Sequence, residues 1–227
     1  MKPSTLGRGK TVKIIKPEVH IENQDWTSIL RRLEQKGRIC YKSEDRITDH
    51  SAALFVKSLI QRGHLSVLEH VSVSVKFVLD RGMSHEIVRH RIGAYSQEST
   101  RYCNYGNEIT VIEPIFFNNP EDKWERWQDG CSSSEEMYHT LLNLGANPQE
   151  ARSVLPTSLK TELWVTYNLR EWRHFFWLRT AKAAHPQMRQ LAIPLLLKFK
   201  ELMPEIFTDI DHDPDFPAEL YAEVKGA

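Results

Sequence analysis

The densest run of chemically capable side chains is Arg89-His90-Arg91, followed by Ile92-Gly93-Ala94-Tyr95-Ser96-Gln97-Glu98 and then Ser99-Thr100-Arg101-Tyr102. Three arginines within thirteen residues supply forked, permanently charged donors that suit phosphate oxygens. Ser96, Ser99 and Thr100 add short hydroxyls, and Gly93 lets the backbone approach a ligand closely. The string MSHEIVRHR reads as a short helix, on which Arg89 and Arg91, two positions apart, cannot share a face. That geometry suits contact with two different anions better than chelation of one. A helix C-terminus stabilised by cations explains the same residues equally well on physics alone. Interleaved aromatics also admit RNA binding, although nothing resembles a sheet of stacking rings.

Four histidines, His64, His70, His85 and His90, invite a metal reading, and the sequence argues against it. On a helix at about 100° per residue, the His85 and His90 rings point about 140° apart, whereas a zinc-binding pair needs one face. No cysteine pair lies near His64 and His70, so no metal is expected. None of Cys40, Cys103 and Cys131 sits in a Gly-rich elbow or beside an evident base, so each reads as a small hydrophobe. Ser99 likewise lacks a base and reads as a binding hydroxyl.

Composition bounds what such residues can belong to. The 227 residues are 41% hydrophobic and 26% charged, an ordinary globular balance. Thirty Lys and Arg oppose thirty Asp and Glu, which argues against a protein that coats nucleic acid. Three scattered cysteines exclude a disulfide framework. The longest apolar run, Leu191 to Leu197, contains Pro194 and falls far short of the ~20 residues of a membrane helix. The opening MKPSTLGRGK has no apolar stretch of the kind a signal peptide carries. A cytoplasmic protein is expected, with no membrane or nucleic-acid partner. Charge is nevertheless segregated: Arg152 to Arg189 holds seven basic residues against two acidic, and Glu205 to Glu223 holds seven acidic and no basic one. This fits either a solvated face followed by an acidic tail over about residues 204–227, or a focused anion site.

The elements that must position these groups follow from periodicity. Thr11 to Ile15 reads as a strand. Asp25 caps a helix carrying Trp26, Leu30 and Leu33, with Gly37 placed to end it. Thr48 or Asp49 caps the next helix, which runs to Gly63. Val71 to Leu79 alternates as a half-buried strand and leads into the short basic helix. A polar loop continues to about Tyr105, followed by a strand at Ile109 to Ile112. Residues 121–145 read as helical with a break at Gly130, and Asn147-Pro148 opens another helix. Leu159 to Tyr167 alternates again and leads into the helix LREWRHFFWLRT. A last helix spans about Pro186 to Met203, kinked at Pro194. With no repeat and no flexible linker, residues 1–227 read as one domain that intermixes helix and sheet.

The Arg89–Ser99 string, RHR followed by seven residues and serine, resembles the signature of the flavin-dependent thymidylate synthases. Gly63-His64-Leu65-Ser66-Val67-Leu68-Glu69-His70 resembles the segment before that family's central strand. Ala151-Arg152-Ser153-Val154-Leu155-Pro156 is similar to its A-R-x-V-L-P block. Asn168-Leu169-Arg170 through Phe175, Leu178 and Arg179 is similar to its second flavin and nucleotide segment. Together these cover about residues 38–192 in the family's order.

The resemblance implies an α/β (α+β) fold with a mainly antiparallel sheet flanked by helices. It implies a methyltransferase that converts dUMP to dTMP with FAD, taking carbon from 5,10-methylenetetrahydrofolate and reducing equivalents from NADPH. It further implies a homotetramer whose active sites are shared between subunits. By position, Ser66, Arg89, His90, Arg91, Gln97, Asn168, Leu169, Arg170 and His174 would meet FAD. Glu86, Arg89, Gln97, Glu98, Ser99, Thr100, Arg101 and Arg152 would hold the nucleotide, and His64 would lie near flavin and folate. Arg179 would face the uracil ring as the catalytic group. A guanidinium stays protonated, so its part is to stabilise negative charge developing over N3 and O2. Three features depart from the pattern: Glu86 stands where a glutamine is expected, Ser96-Gln97-Glu98 replaces an Asn-Glu-Leu-type spacer, and Ala183 replaces a histidine of some members. These departures leave room for a related flavoenzyme acting on another pyrimidine nucleotide. A non-catalytic nucleotide- or RNA-binding module is the other alternative.

Overall fold

The two strands with the clearest alternation lie side by side at the centre of the sheet. The computed structural model describes residues 12–117 and 121–226. In it β3 (Ser72–Asp80) pairs antiparallel with β6 (Lys160–Asn168), in register from Ser72 opposite Asn168 to Asp80 opposite Lys160. Around them β2 (Glu18–Ile21) and β4 (Ala94–Gln97) pair antiparallel with β3 and β6 respectively. A parallel edge strand, β7 (Glu223–Gly226), completes the order β4-β6-β3-β2-β7. The expected mainly antiparallel sheet is present. A separate parallel pair joins β1 (Lys13–Ile15) to β5 (Thr110–Ile112). Thr11, where the first strand was expected to open, lies outside the described residues.

Helices cover this sheet. They are α1 (Trp26–Ile39), α2 (Ser51–Gln61), α6 (Leu169–Arg179), α7 (Pro186–Leu202) and α8 (Pro204–Phe207). Their apolar faces share one core with the sheet, including Leu33, Val56, Val75, Phe77, Val165, Trp172, Phe176 and Phe199. The 23-residue α4 (Glu121–Asn143) runs without interruption through Gly130 and packs Cys131 against Val12, Ile109, Val111 and Leu159. Asn147 caps α5 (Pro148–Ala151) through a reciprocal box with Glu150, as the Asn-Pro start predicts. No helix among the described residues is long and apolar enough to cross a membrane.

Several expectations change for physical reasons. Gly37 lies inside α1, which continues to Ile39. A Cβ there would come within 2.7 Å of the Phe55 ring, so this glycine permits the close approach of α1 and α2 and does not stop the helix. The residues read as an acidic tail are packed in the fold: Ile206, Phe207, Ile210 and Phe216 are buried, and the end forms β7. Their acids answer the preceding basic segment, with Arg173 on Asp209, Lys182 on Asp215 and Arg189 on Asp213. Segregated charge here is largely an internal set of ion pairs.

Candidate active site

Two strand-to-helix junctions build the site. Asp80 at the end of β3 caps α3 (Arg81–Ile87) by accepting from the Met83 N–H at 2.9 Å. Asn168 at the end of β6 caps α6 in the same way, accepting from the Glu171 N–H at 2.9 Å. The two helices converge at their C-terminal ends, where Arg179 of α6 meets Glu86 of α3.

The short helix ends at Ile87, so Arg89, His90 and Arg91 lie beyond it in a turn. The expectation that the whole string is helical is therefore corrected, and with it the face argument for Arg89 and Arg91. Two phenols, the half-buried Tyr95 and the buried Tyr167, explain the stop. The Tyr95 hydroxyl donates to the His90 carbonyl and lies 2.7 Å from the Tyr167 hydroxyl, which is 3.2 Å from the Ile87 carbonyl. Carbonyls that would otherwise continue the helix ladder are thus satisfied by side chains. Burial pushes the Tyr95 and Tyr167 phenols up from their ordinary value, so both keep their protons. The chain then turns at Gly93 into β4, a strand that the polar composition of this stretch conceals.

Gly93 sits flat against Tyr167: an added Cβ would overlap that ring and lie 3.1 Å from the Thr166 carbonyl. Tyr167 is 1% exposed and cannot swing aside. Gly93→Ala should therefore cost about 1–3 kcal/mol, read as a lower urea midpoint, and should loosen the 88–93 turn. An unchanged midpoint would mean that the turn relaxes freely.

His90 is the hub. Its side chain is 2% exposed, with Nδ1 2.8 Å from Oε1 of Glu171 and Nε2 accepting from Nε of Arg179 at 3.0 Å. Burial pushes the imidazole below its usual range; the Glu171 carboxylate opposes this and the Arg179 guanidinium adds to it. Arg179 also donates through Nη1 to Oε2 of Glu86 at 3.0 Å and through Nη2 to the Glu86 carbonyl at 3.1 Å. Three of its five N–H groups are thereby occupied, and one on each terminal nitrogen has no partner among the described residues. His90, Glu171 and His174 hold potential ligand atoms within 4.8 Å of one another. Both ring nitrogens of His90 are already engaged, which makes the cluster a hydrogen-bond relay.

Beside the relay opens a cleft of about 1040 Å³, lined by Asn168, Arg170, Glu171, His174 and Trp177 of the α6 region and by residues 209–215. Arg170 pairs with Glu69, and Arg173 with Asp209, across its walls. Of the residues the sequence nominates, Asn168, Arg170 and His174 line this space. Arg89, Arg101, Arg152 and Arg179 do not line it, so one chain does not gather its guanidinium groups in one cavity. Arg89, Arg91 and Arg101 are exposed, while Arg152 reaches Oγ1 of Thr100 at 3.2 Å. Ser99 receives the Arg101 N–H at 3.3 Å.

Three further nominees are tied into the scaffold. The Gln97 amide donates to Ser84 at 2.9 Å and to Thr161 at 3.3 Å. Glu98 accepts from Tyr105 and from Lys160. Leu169 is buried in the core, and Ser66 is exposed on the 3-10 turn from Leu65 to His70. His64 lies just before that turn, 3.4 Å from the Tyr41 hydroxyl. The sequence reading missed Glu171, Tyr95 and Tyr167. The Glu171-x-x-His174 spacing, one turn of helix, was a signal that could have identified the first.

A family model described as "Thymidylate synthase complementing protein" matches residues 24–205. A flavin-dependent thymidylate synthase of Geobacter sulfurreducens is 33% identical over 181 residues, covering 76% of this chain and 78% of that protein. The chain belongs to the flavin-dependent thymidylate synthase family. A second member, from Mycolicibacterium vanbaalenii, is 34% identical over 197 residues, covering 79% of this chain and 78% of its own length. Among solved structures, a UMP/dUMP methylase, PolB of Streptomyces cacaoi bound with 5-Br dUMP, superposes with a TM-score of 0.70 at 22% identity. That match covers 87% of this chain and 96% of the other, and it supports the same fold. The RHR turn, the α6 segment and the Arg152 block all fall within the span that the family model matches.

Proposed function

We propose that this family member converts dUMP to dTMP, with FAD as its cofactor, methylenetetrahydrofolate as carbon donor and NADPH as reductant. The observation that carries the reading is Arg179, a guanidinium fixed through three of its N–H groups and left with two to offer. Those two donors suit the O2–N3 edge of a uracil ring, where negative charge grows as C5 becomes nucleophilic. Thr100, Arg101 and Arg152 supply hydroxyl and guanidinium donors for a nucleotide phosphate.

The residues present fit a dinucleotide flavin. The cleft matches the upper end of small-molecule pockets, about 300–1,000 Å³. Asn168 spends its oxygen on the α6 cap and keeps its amide N–H groups for a ligand. His174 is half exposed at the wall, and Arg89 and Arg91 are free of ion pairs among the described residues. When bound, the flavin would supply the reducing chemistry, and the side chains would bind, orient and stabilise charge. Arginines that do not converge within one chain favour sites completed by a neighbouring copy, as a homotetramer would provide.

The test is direct. Purified protein should be yellow and, under anaerobic conditions, should form thymidylate from dUMP, methylenetetrahydrofolate and NADPH with no other protein added. Full flavin loading without product would overturn the assignment. Because the structural neighbour is described as acting on UMP and dUMP, the assay should include both. Preference for UMP would move the reading to another pyrimidine nucleotide.

A further inference from the structure

Arg179 is held by a chain of contacts, buried at its inner end, that finishes on a residue with no role so far. Nε of a guanidinium always carries its proton and can only donate. Since Arg179 Nε lies 3.0 Å from His90 Nε2, that nitrogen must be the unprotonated acceptor. The single ring proton then sits on Nδ1 and is donated to Oε1 of Glu171 at 2.8 Å. Both His90 and Glu171 are buried, and the Phe175 and Tyr167 rings pack around the imidazole at 5.2 and 6.1 Å. Neither nitrogen of His90 is available to a ligand.

We propose that Glu171 and His90 are positioning residues for Arg179. The Glu171 carboxylate holds His90 in the Nδ1–H tautomer, and the bare Nε2 fixes the orientation of the guanidinium. This rests on the catalytic reading of Arg179 and adds to it a reason for the rigidity of that group. The arrangement resembles, in its logic, a carboxylate that orients a catalytic histidine; here the oriented group is an arginine.

The relay makes the fork sensitive to protonation. An imidazolium would place an N–H against the Arg179 N–H, and the contact would break. The groups facing His90 are Glu171, His174 and Arg179 from α6, Tyr167 from β6 and Tyr95 from β4, with Glu86 of α3 behind Arg179. Burial and Arg179 disfavour the imidazolium, while Glu171 favours it. The neutral ring, and with it the fixed fork, is present above the lowered pKa of His90 and is lost as pH falls through it. Replacing the carboxylate by an amide removes the negative charge that favours the imidazolium, so the acid limb of activity should move to still lower pH.

Two pairs of variants and one spectrum test this on the flavin-loaded protein. Glutamine can set an oxygen where Nε2 stands, whereas asparagine reaches only the Nδ1 position. His90→Asn should lose about 100-fold in kcat through a misplaced Arg179, and His90→Gln about tenfold less, at equal flavin loading. Glu171→Gln should shift the acid limb of kcat/KM downward, and Glu171→Leu should lower the plateau. A role in packing or flavin contact alone would make the two His90 variants equal and leave the limb in place; either result overturns the proposal. The 15N spectrum of wild-type His90 decides the tautomer without turnover: protonated Nδ1 supports the relay and protonated Nε2 overturns it. If the wild-type protein made no thymidylate, that spectrum would still judge the relay separately from the reaction.

Discussion

Arg179→Ala should lower kcat by about 10³-fold while most of the flavin stays bound, since under the proposed role the change removes the donors that would stabilise developing charge. Arg179 does not line the large cleft, so its loss leaves Asn168, Arg170 and His174 in place. Glu86 and His90 lose their shared partner, but Glu86 is a third exposed and can turn to water. Arg179→Lys should recover little activity. An ammonium is a point donor and cannot reach His90, the Glu86 carboxylate and the Glu86 carbonyl while keeping two donors for a ring. Steady-state kinetics with flavin absorbance measured on the same samples checks both statements. Turnover within a few-fold of wild type in Arg179→Ala would remove this residue from the chemistry. Loss of flavin in parallel with activity would make it a cofactor ligand instead.

The parts of this arrangement that the sequence discloses are those with short-range causes. Alternation at Val71–Leu79 and Leu159–Tyr167 marks the central strands because each buries one face. Asp25 and Asn147 announce helix starts because a cap is local chemistry. The parts that stay hidden depend on partners far along the chain. α3 ends at Ile87 because Tyr95 and Tyr167 take the carbonyls of that turn, and Tyr167 comes 80 residues after Ile87. Gly37 reads as a stop signal until Phe55 of a different helix is seen against it. Arg173, Lys182 and Arg189 of the basic stretch could equally belong to an anion site until Asp209, Asp215 and Asp213 are seen to meet them.

The site divides in the same way. Motif resemblance nominates Arg179 and the RHR turn, and it also nominates Gln97 and Glu98, whose polar atoms are bonded within the chain to Ser84, Thr161, Tyr105 and Lys160. Glu171 escapes because a glutamate in the first turn of a helix has an ordinary explanation in the helix dipole. Only its 7% side-chain exposure and the 2.8 Å contact with His90 separate it from that explanation.

Trp172→Ala should be the most damaging single change to stability, about 3–5 kcal/mol in urea unfolding. The indole is fully buried in α6, with Tyr167, Phe199, Phe175 and Phe176 ring centroids 4.8–5.6 Å away. Its N–H donates at 3.0 Å to the Val73 carbonyl, tying α6 to β3. Truncation opens a cavity that the surrounding rings cannot close and deprives that carbonyl of a partner. Trp172→Phe retains most of the apolar contact and loses the donor, so its cost should be nearer the about 1–3 kcal/mol of an unsatisfied buried group. The two variants thus separate packing from hydrogen bonding. Equal losses would assign the whole effect to the bond, and a loss below about 1 kcal/mol in Trp172→Ala would mean that the cluster repacks. Since α6 also carries Glu171, His174 and Arg179, a shift of that helix should lower kcat in the folded fraction as well as the unfolding midpoint. Stability and turnover should fall together here, whereas in Arg179→Ala only turnover falls.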